Sequence, residues 1–233
     1  MASWHPEFRF SAKRRTIGIE VRETRVIVRA PKGFSQAQLQ RLVREKASWI
    51  DAKVRQQQLR IQSRPRYEYR GGERFPFLGD TLVLAVSLGA SAACQRVGQT
   101  LQIQLSCRSR KPQPEQVLAG LTGWYRAQAL ELLENKTYAL CRQLGRHCRT
   151  VRVRATRSKW GHCTAQGDIQ YNWQIVLAPE SVVDYLVAHE VSHLVHRHHG
   201  PAFWDQVEKL CPGYRHNRQW LREHGHLLIL PPL

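Results

Sequence analysis

The amino-acid sequence predicts an α+β fold, and three observations lead to this prediction. Apolar and charged residues alternate near the N-terminus, as they do in half-buried strands. The middle of the chain carries a long run of apolar residues at helical spacing, and the last quarter carries helical patterns alone. Strands followed by a helix-rich end are typical of α+β proteins, and 233 residues with 42% hydrophobic content suffice to bury a core.

The first predicted elements are a hairpin and a helix. Between Arg15 and Ala30, apolar residues alternate with charged ones on both sides of Glu23-Thr24, which predicts two strands joined by a turn. Ser35 is a suitable helix N-cap, and the apolar residues after it share one helical face to about Gln58. We therefore expect one helix after the hairpin.

Two breaks interrupt the next part of the chain. A polar, glycine-terminated loop over Ser63–Gly72 precedes further strand pairs around Phe75–Val86 and Gln99–Leu105. The second break is the basic, proline-containing segment Arg108–Pro114. This segment marks a predicted boundary between two regions.

The two predicted regions cover residues 8–110 and 112–230. The first is a basic strand–helix–strand region, and the second begins with a long amphipathic helix that ends before Gly145. The elements expected in the second region are a helix over Val117–Cys141, strands over Val151–Ala155 and Ile169–Leu177, a helix from Pro179 or Ser181 to His196, and short helices over Pro201–Cys211 and Tyr214–His224.

Positive charge is concentrated in the first two thirds of the chain. The net charge is +18, but residues 1–160 hold 31 Lys and Arg against 11 Asp and Glu, whereas residues 161–233 hold 5 against 7. Clustered cations attract polyanions, so nucleic acid, nucleotides or an anionic membrane are candidate partners of the basic N-terminal half. An arginine-rich solvated surface without a partner is the alternative.

Composition also predicts the compartment. We find no apolar run long enough to span a bilayer, and Met1–Phe10 lacks the apolar core of a secretory signal. The six cysteines form no CxxC pair, and a chain of this size does not need disulfides for stability. We therefore expect a cytoplasmic protein with reduced thiols.

The segment His189-Glu190-Val191-Ser192-His193 carries the clearest chemical signal. Because residues four apart share one helical face, both imidazoles can bind one zinc ion. Glu190 then projects beside the ion, where it can take a proton from a zinc-bound water whose pKa is lowered to about 7. The alternative is two surface histidines on an amphipathic helix.

A catalytic zinc site needs a third protein ligand. His196 is a poor choice, because on a continuous helix it lies roughly 7 to 8 Å beyond an ion centred between the first two histidines. Gly200-Pro201 is a strong helix break, and a chain that turns there can bring His199 back over the ion. His198 and His216 remain alternatives.

Short motifs surround this histidine cluster and extend through the chain. They are Arg154–Cys163, Gly167–Trp173, Pro179, the helix with His189 and His193, Phe203-Trp204, and, in the N-terminal half, Arg14–Ile17, Arg29–Gly33, Lys46–Ile50 and Phe77–Gly79. In these motifs the chain resembles the YgjP-like predicted metal-dependent hydrolases, relatives of the SprT-type zinc metallopeptidases.

The resemblance implies a zincin-like catalytic region, in which the active-site helix packs on an antiparallel sheet, preceded by a β-rich N-terminal part. It also implies His199 as the third metal ligand. His162 departs from the family pattern, which usually has Ser at this position. This histidine is either an additional metal or phosphate contact or a solvent-facing loop residue.

Other residues are weaker candidates. Asn172, Trp160 and Trp204 match the family pattern, but an aromatic residue at strand or helix spacing is usually part of the core. The segment Tyr214–His216 follows a Cys-Pro-Gly turn, where a donor could stabilise an anionic tetrahedral intermediate. Surface charge on a terminal helix is the alternative for that segment.

Three hypotheses for the function follow. The first is a zinc metallopeptidase-type hydrolase, in which Glu190 activates the metal-bound water for attack on the amide bond of a protein or peptide. The second is a metal-dependent nucleoside triphosphate pyrophosphatase, an activity described for some YgjP-like proteins. The third is a non-catalytic nucleic-acid-binding protein with a structural zinc, although structural sites normally use four protein ligands.

Overall fold

The computed structural model describes residues 4–156 and 158–233. In this part of the chain, the strands are β1 (Pro6–Ser11), β2 (Gly18–Arg22), β3 (Arg25–Pro31), β4 (Arg74–Phe77), β5 (Asp80–Gly89), β6 (Ala93–Val97), β7 (Thr100–Ser106), β8 (Thr150–Arg154), β9 (Gly161–Cys163) and β10 (Asp168–Asn172). The α-helices are α1 (Gln36–Glu45), α2 (Ala47–Gln62), α3 (Gln113–Gln143), α4 (Glu180–Ser192), α5 (Pro201–Leu210) and α6 (Tyr214–His224). The predicted α+β class is confirmed.

The chain divides into two compact units, Met1–Arg64 and Pro65–Leu233. This division lies earlier than the predicted boundary between residues 110 and 112. The reason is that β6 and β7 pack against α3, so the sheet before residue 110 and the helix after it share one core. None of the helices within residues 4–156 and 158–233 combines the length and the apolar character needed to cross a membrane.

The first unit is a three-stranded sheet with two helices. The strand order is β1-β3-β2, with β1 parallel and β2 antiparallel to β3. The predicted hairpin is present as β2 and β3, and its turn residues Glu23 and Thr24 have φ of 46° and 69°. Two consecutive left-handed residues are the geometry of a two-residue hairpin turn that matches strand twist.

The predicted helix N-cap is confirmed, but the predicted single helix is wrong. The Ser35 hydroxyl accepts a hydrogen bond from the backbone N–H of Gln38, and the Gln38 side chain accepts one from the backbone N–H of Ser35. The helix ends at Glu45, and α2 begins at Ala47 after a break at Lys46, whose ψ is 10°. Apolar residues on both helices pack on the sheet, so the apolar pattern continues across the break.

The second unit contains a four-stranded sheet that packs on α3. Its strand order is β4-β5-β7-β6, with β5 and β7 parallel and the other pairs antiparallel. The buried Tyr125 of α3 donates a hydrogen bond to the carbonyl of Pro76 in β4 at 2.8 Å. The predicted long helix and the strands before it are thus present and form one core.

A smaller sheet, with the order β8-β10-β9, lies in the same unit. The resemblance implied an antiparallel sheet, but this sheet is mixed: β8 is parallel and β9 antiparallel to β10. The predicted strand to Leu177 ends at Asn172 and continues as a 3-10 helix over Trp173–Leu177. Four of these five residues are buried against α3, α4 and β4, so alternation could not distinguish a strand from a helical turn.

Polar contacts to α3 position α4 and the small sheet. Lys136 of α3 donates hydrogen bonds to Glu180 and Asp184 in the first two turns of α4, at 2.7 and 2.6 Å. The buried hydroxyls of Thr137 and Tyr171 lie 2.9 Å apart and join α3 to β10. The long helix therefore holds both elements that carry the candidate site.

Candidate metal centre

The chain turns immediately after α4, and this turn creates the candidate metal centre. The helix was predicted to reach His196, but it ends at Ser192, because the chain leaves the helical path at His193 in a series of tight turns that leads to α5 at Pro201. His189 lies in the last turn of α4, His193 directly follows it, and His199 lies just before α5.

The turn brings three imidazoles together. One ring nitrogen from each of His189, His193 and His199 belongs to a set in which all separations are within 4.8 Å. The Nε2 atoms of His189 and His199 are 3.2 Å apart. Two nitrogens that share a tetrahedral zinc ion at about 2.0 to 2.1 Å lie about 3.3 Å apart, so the observed separation fits one shared cation.

The orientation of His193 leaves one nitrogen available as a ligand. Its Nδ1–H donates a hydrogen bond to the backbone carbonyl of His196 at 3.0 Å. A carbonyl only accepts, so Nδ1 carries the proton and Nε2 keeps a free lone pair. A backbone carbonyl that fixes the ring in this way is a common partner of metal-binding histidines.

Burial favours the neutral, metal-binding form of His189 and His193. Burial is the main cause that lowers the pKa of His189 to about 3, with further lowering by His193 and His199. Burial also lowers the pKa of His193. The Nδ1 atom of His189 is buried without a hydrogen-bond partner among the described residues.

Aromatic residues of α5 and α6 support the histidines. The ring centroid of Phe203 is 4.6 Å from that of His193, and the indole N–H of Trp204 donates to the carbonyl of His199 at 3.1 Å. Trp204 also stacks on Tyr214, with centroids 5.3 Å apart, and the Arg218 guanidinium lies 4.3 Å from its ring centre. These contacts explain why His199 keeps its position although it is exposed.

Glu190 lies beside the three imidazoles and is only 4% exposed. Burial raises the pKa of its carboxyl to about 8, and the charge of Lys159 opposes this shift. The carboxylate packs against Gly161 of β9: a Cβ atom at that position would lie 2.6 Å from Glu190 Cδ. Strand β9 therefore comes close to the carboxylate only because residue 161 has no side chain.

The centre opens into a cleft of about 370 Å³ between β9 and the turn that joins α4 to α5. Its lining includes Lys159, His162 and Arg197, all exposed, and among its described lining residues Glu190 is the one acid. His162 lies near His193. After burial, the charge of His162 is a further cause that lowers the pKa of His193. The cleft thus combines the imidazole cluster with a positively charged rim.

The other candidate residues have different positions. His196 contributes its backbone carbonyl, and neither His196, His198 nor His216 belongs to the converging set found among the described residues. Asn172 accepts a hydrogen bond from the backbone N–H of Gln174 and so caps the 3-10 helix. The remaining candidates are a partly buried tryptophan packed against the core (Trp160), a buried stacking tyrosine (Tyr214), and two exposed residues on α6 (Arg215 and His216).

Sequence reasoning did not assign roles to Lys159, Gly161 and Arg197. All three line the cleft, although they come from the loop before β9, from β9 itself and from the turn after α4. Lys159 and Gly161 belong to the motif Arg154–Cys163. Arg197 follows His193 by four residues, but Lys159 and Gly161 lie about thirty residues before Glu190, so no local spacing indicates that they contact this site.

The chain is similar to a family of metallopeptidase domains and to a solved metallopeptidase structure. The model of the YgjP-like family, described as a metallopeptidase domain, matches residues 15–224. A solved structure, the metallopeptidase zymogen of Pyrococcus abyssi abylysin, is 25% identical with a TM-score of 0.36, over 41% of this chain and 94% of that chain. No curated protein matches the chain. The resemblance inferred from the sequence motifs is confirmed.

Proposed function

Because the chain belongs to the YgjP-like metallopeptidase family, we propose that it is a zinc-dependent peptidase in which His189, His193 and His199 hold the metal and Glu190 is the general base. One observation carries this proposal: three imidazole nitrogens converge beside a buried carboxylate, in a cleft open to solvent. A structural zinc would need neither that carboxylate nor an open cleft.

The donor set favours zinc among divalent cations. Neutral imidazole is a typical zinc ligand, and three protein ligands with one open position are usual for catalytic sites. When bound, the ion supplies Lewis-acid activation of a carbonyl and lowers the pKa of a coordinated water to about 7.

Glu190 is suited to carry a proton during amide hydrolysis. Its carboxylate can accept a proton from the attacking water and donate it to the leaving amine. Burial raises the pKa of this carboxyl to about 8, so it can hold that proton near neutral pH. Lys159 lies close enough to oppose the shift, and it therefore favours the ionised form that the first step needs.

The edge of the small sheet suits an extended peptide. Strand β9 is at the edge of the order β8-β10-β9, and its residues Gly161, His162 and Cys163 all line the cleft. An extended peptide that adds to such an edge gains backbone hydrogen bonds and passes alongside the metal ligands. This supports a protein or peptide substrate.

A second candidate function is hydrolysis of a nucleoside triphosphate to pyrophosphate. The cations Lys159 and Arg197 on the cleft rim favour it, because they could contact phosphate oxygens. A metal-activated water can attack phosphorus as well as carbon. We rank it below the peptidase because the family match describes a metallopeptidase domain.

The cytoplasmic location expected from the sequence stays a prediction.

The test is a parallel assay of the purified protein and its Glu190→Gln variant. Zinc is quantified by elemental analysis, and each protein is incubated with an unfolded protein substrate and, separately, with nucleoside triphosphates. We expect the variant to retain zinc, because the imidazoles are unchanged, but to lose peptide cleavage by about 10² to 10⁴-fold.

Glu223→Gln is the matched control, because Glu223 lies on α6 and does not line the cleft. This control should retain both zinc and activity. Pyrophosphate release lost on Glu190→Gln, without any peptide cleavage by the unchanged protein, would select the second function. Zinc-free protein from careful purification would refute both.

A further inference from the structure

The first unit has an excess of positive charge that its own acidic residues do not neutralise. Residues 1–64 contain 15 Lys and Arg against 5 Asp and Glu. Glu7, Glu20 and Glu45 already form ion pairs with arginines, and Asp51 accepts a hydrogen bond from the Trp4 indole at 2.6 Å. Within residues 4–64, the cations therefore outnumber the acids three to one, so most of them lack an acidic partner from their own unit.

Trp49 is exposed on this basic unit, although tryptophan is usually well buried. Its exposed fraction is 44%. Together with Ile17, Ile19, Leu42 and Lys46 it lines a pocket of about 400 Å³. The Trp49 ring is thus partly exposed to solvent, next to three apolar side chains and the Lys46 side chain.

Two lysines flank Trp49: Lys46 at the N-cap of α2 and Lys53 within this helix. Lys46 precedes it by three residues and Lys53 follows it by four, so the three side chains share one side of the helix. Both lysines are exposed, and no carboxylate within the described residues forms an ion pair with either. Lys53 donates a hydrogen bond to the neutral amide oxygen of Gln56 at 3.3 Å, which leaves its charge uncompensated. We call Lys46, Trp49 and Lys53 the Trp49 face.

We propose that the Trp49 face binds single-stranded nucleic acid, with the indole ring stacked on a base and the two lysines on phosphates. Aromatic rings interleaved with cations are the usual means of binding single strands, because every base has a flat face and every nucleotide a negative charge. A duplex hides those flat faces by stacking, so the ring selects single strands. An anionic membrane fits less well, because an interfacial helix inserts a continuous apolar stripe, not one ring between two lysines.

The test uses the complete 233-residue chain and two fluorescently labelled oligonucleotides, oligo(dT) and oligo(U), with fluorescence anisotropy read at several salt concentrations. We expect Trp49→Leu, which keeps apolar volume but removes the ring, to weaken binding by about five-fold or more, and Trp49→Phe to retain most of the affinity. Lys46→Gln with Lys53→Gln should lower the slope of log affinity against log salt by about 1.4.

Arg44→Gln with Arg55→Gln is the matched control for charge. Arg44 is two residues from Leu42, and Arg55 is two residues from Lys53, so these exposed arginines lie on the opposite sides of the same helices. The control should leave the slope nearly unchanged. The proposal is overturned if neither oligonucleotide binds, if the two double variants lower the slope equally, or if Trp49→Leu binds as well as Trp49→Phe. Binding to phosphatidylserine vesicles without binding to either oligonucleotide would also overturn it.

Discussion

Burial moves the pKa values of two neighbouring residues, His189 and Glu190, in opposite directions. A buried environment disfavours the charged form of any group, so it lowers the pKa of the imidazole to about 3 and raises that of the carboxyl to about 8. The first shift leaves the nitrogen lone pair free for a cation. The second allows the carboxyl to hold a proton near neutral pH. One physical cause thus prepares both side chains for their proposed roles.

Gly161 allows the Glu190 carboxylate to occupy its position, so Gly161→Ala should impair catalysis. An added Cβ would lie 2.6 Å from Glu190 Cδ and Cγ, which forces the carboxylate or β9 to move. A displacement on the order of 1 Å at a reacting group can cost about 10²-fold in rate. We expect such a loss of kcat/KM for an unfolded protein substrate, with zinc content retained, and full activity in this variant would contradict the assignment.

Part of this site could be predicted from single residues, and part could not. The spacing of His189 and His193 requires only helical periodicity, which is a local property. The Gly200-Pro201 break and the resemblance indicated His199 but left His198 and His216 as alternatives, because the shape of the turn depends on the Trp204 hydrogen bond and the Phe203 packing. The approach of Gly161 is a contact across about thirty residues of chain, and no local pattern encodes it.

Within the helices, α3 offers a substitution with a stabilising effect. Gly123 lies in the middle of this helix, is exposed, and an added Cβ would meet nothing within 4 Å. Alanine at such a position reduces the conformational entropy of the unfolded chain without a steric cost. We expect Gly123→Ala to raise the free energy of unfolding by about 0.5 to 1 kcal/mol in urea denaturation. Unchanged catalytic activity would make it a suitable control for Gly161→Ala.

At the end of the small sheet, the Asp168 carboxylate of β10 accepts hydrogen bonds from residues in and beside β8. Hydrogen bonds from Arg149 and then Thr150 are the main causes that lower the pKa of Asp168 to about 2. Because the folded pKa is below the unfolded value of about 3.9, this stabilisation is complete above pH 4 and is lost as the pH falls towards 2. Asp168→Asn should therefore lower the urea midpoint most near neutral pH.

The measurement is urea unfolding of both proteins at several pH values between neutrality and about pH 3. The difference in midpoint between the unchanged protein and Asp168→Asn should shrink as the pH falls. A difference that stays constant with pH would show that the substitution acts through packing and not through the charge of Asp168.

The elements predicted correctly and incorrectly differ in how much they depend on distant contacts. The hairpin β2–β3 was predictable because one sheet face is apolar and the Glu23-Thr24 turn is local. Strand β1 was not predicted, since it is stabilised by parallel pairing with β3, which lies far from it in sequence. The break at Lys46 carries no glycine or proline, so the apolar periodicity of α1 and α2 suggested one helix.

Across the whole molecule, the imidazole cluster and the densest positive charge lie in different units, although residues 65–233 also carry 21 Lys and Arg against 13 Asp and Glu. The converging histidines and their supporting aromatic residues all belong to Pro65–Leu233, whereas residues 1–64 carry 15 cations against 5 acids. Each unit also has an apolar cluster of its own. Hydrolysis and the binding of a polyanion can therefore depend on different parts of the chain and be altered independently.

This separation predicts that residues 65–233 fold and hold zinc without the first unit. The segment of 169 residues, the 233-residue chain less its first 64, contains the large apolar cluster from Tyr69 to Leu230 and is of sufficient size for a stable core. Residues near its two ends are in contact, because the Tyr69 hydroxyl donates a hydrogen bond to the carbonyl of Pro231. We expect cooperative thermal unfolding by circular dichroism, one zinc per chain by elemental analysis, and activity on a short peptide close to that of the 233-residue chain. Affinity for oligo(dT) should be lost with the first unit. An aggregated or zinc-free fragment would show that the centre depends on residues 1–64.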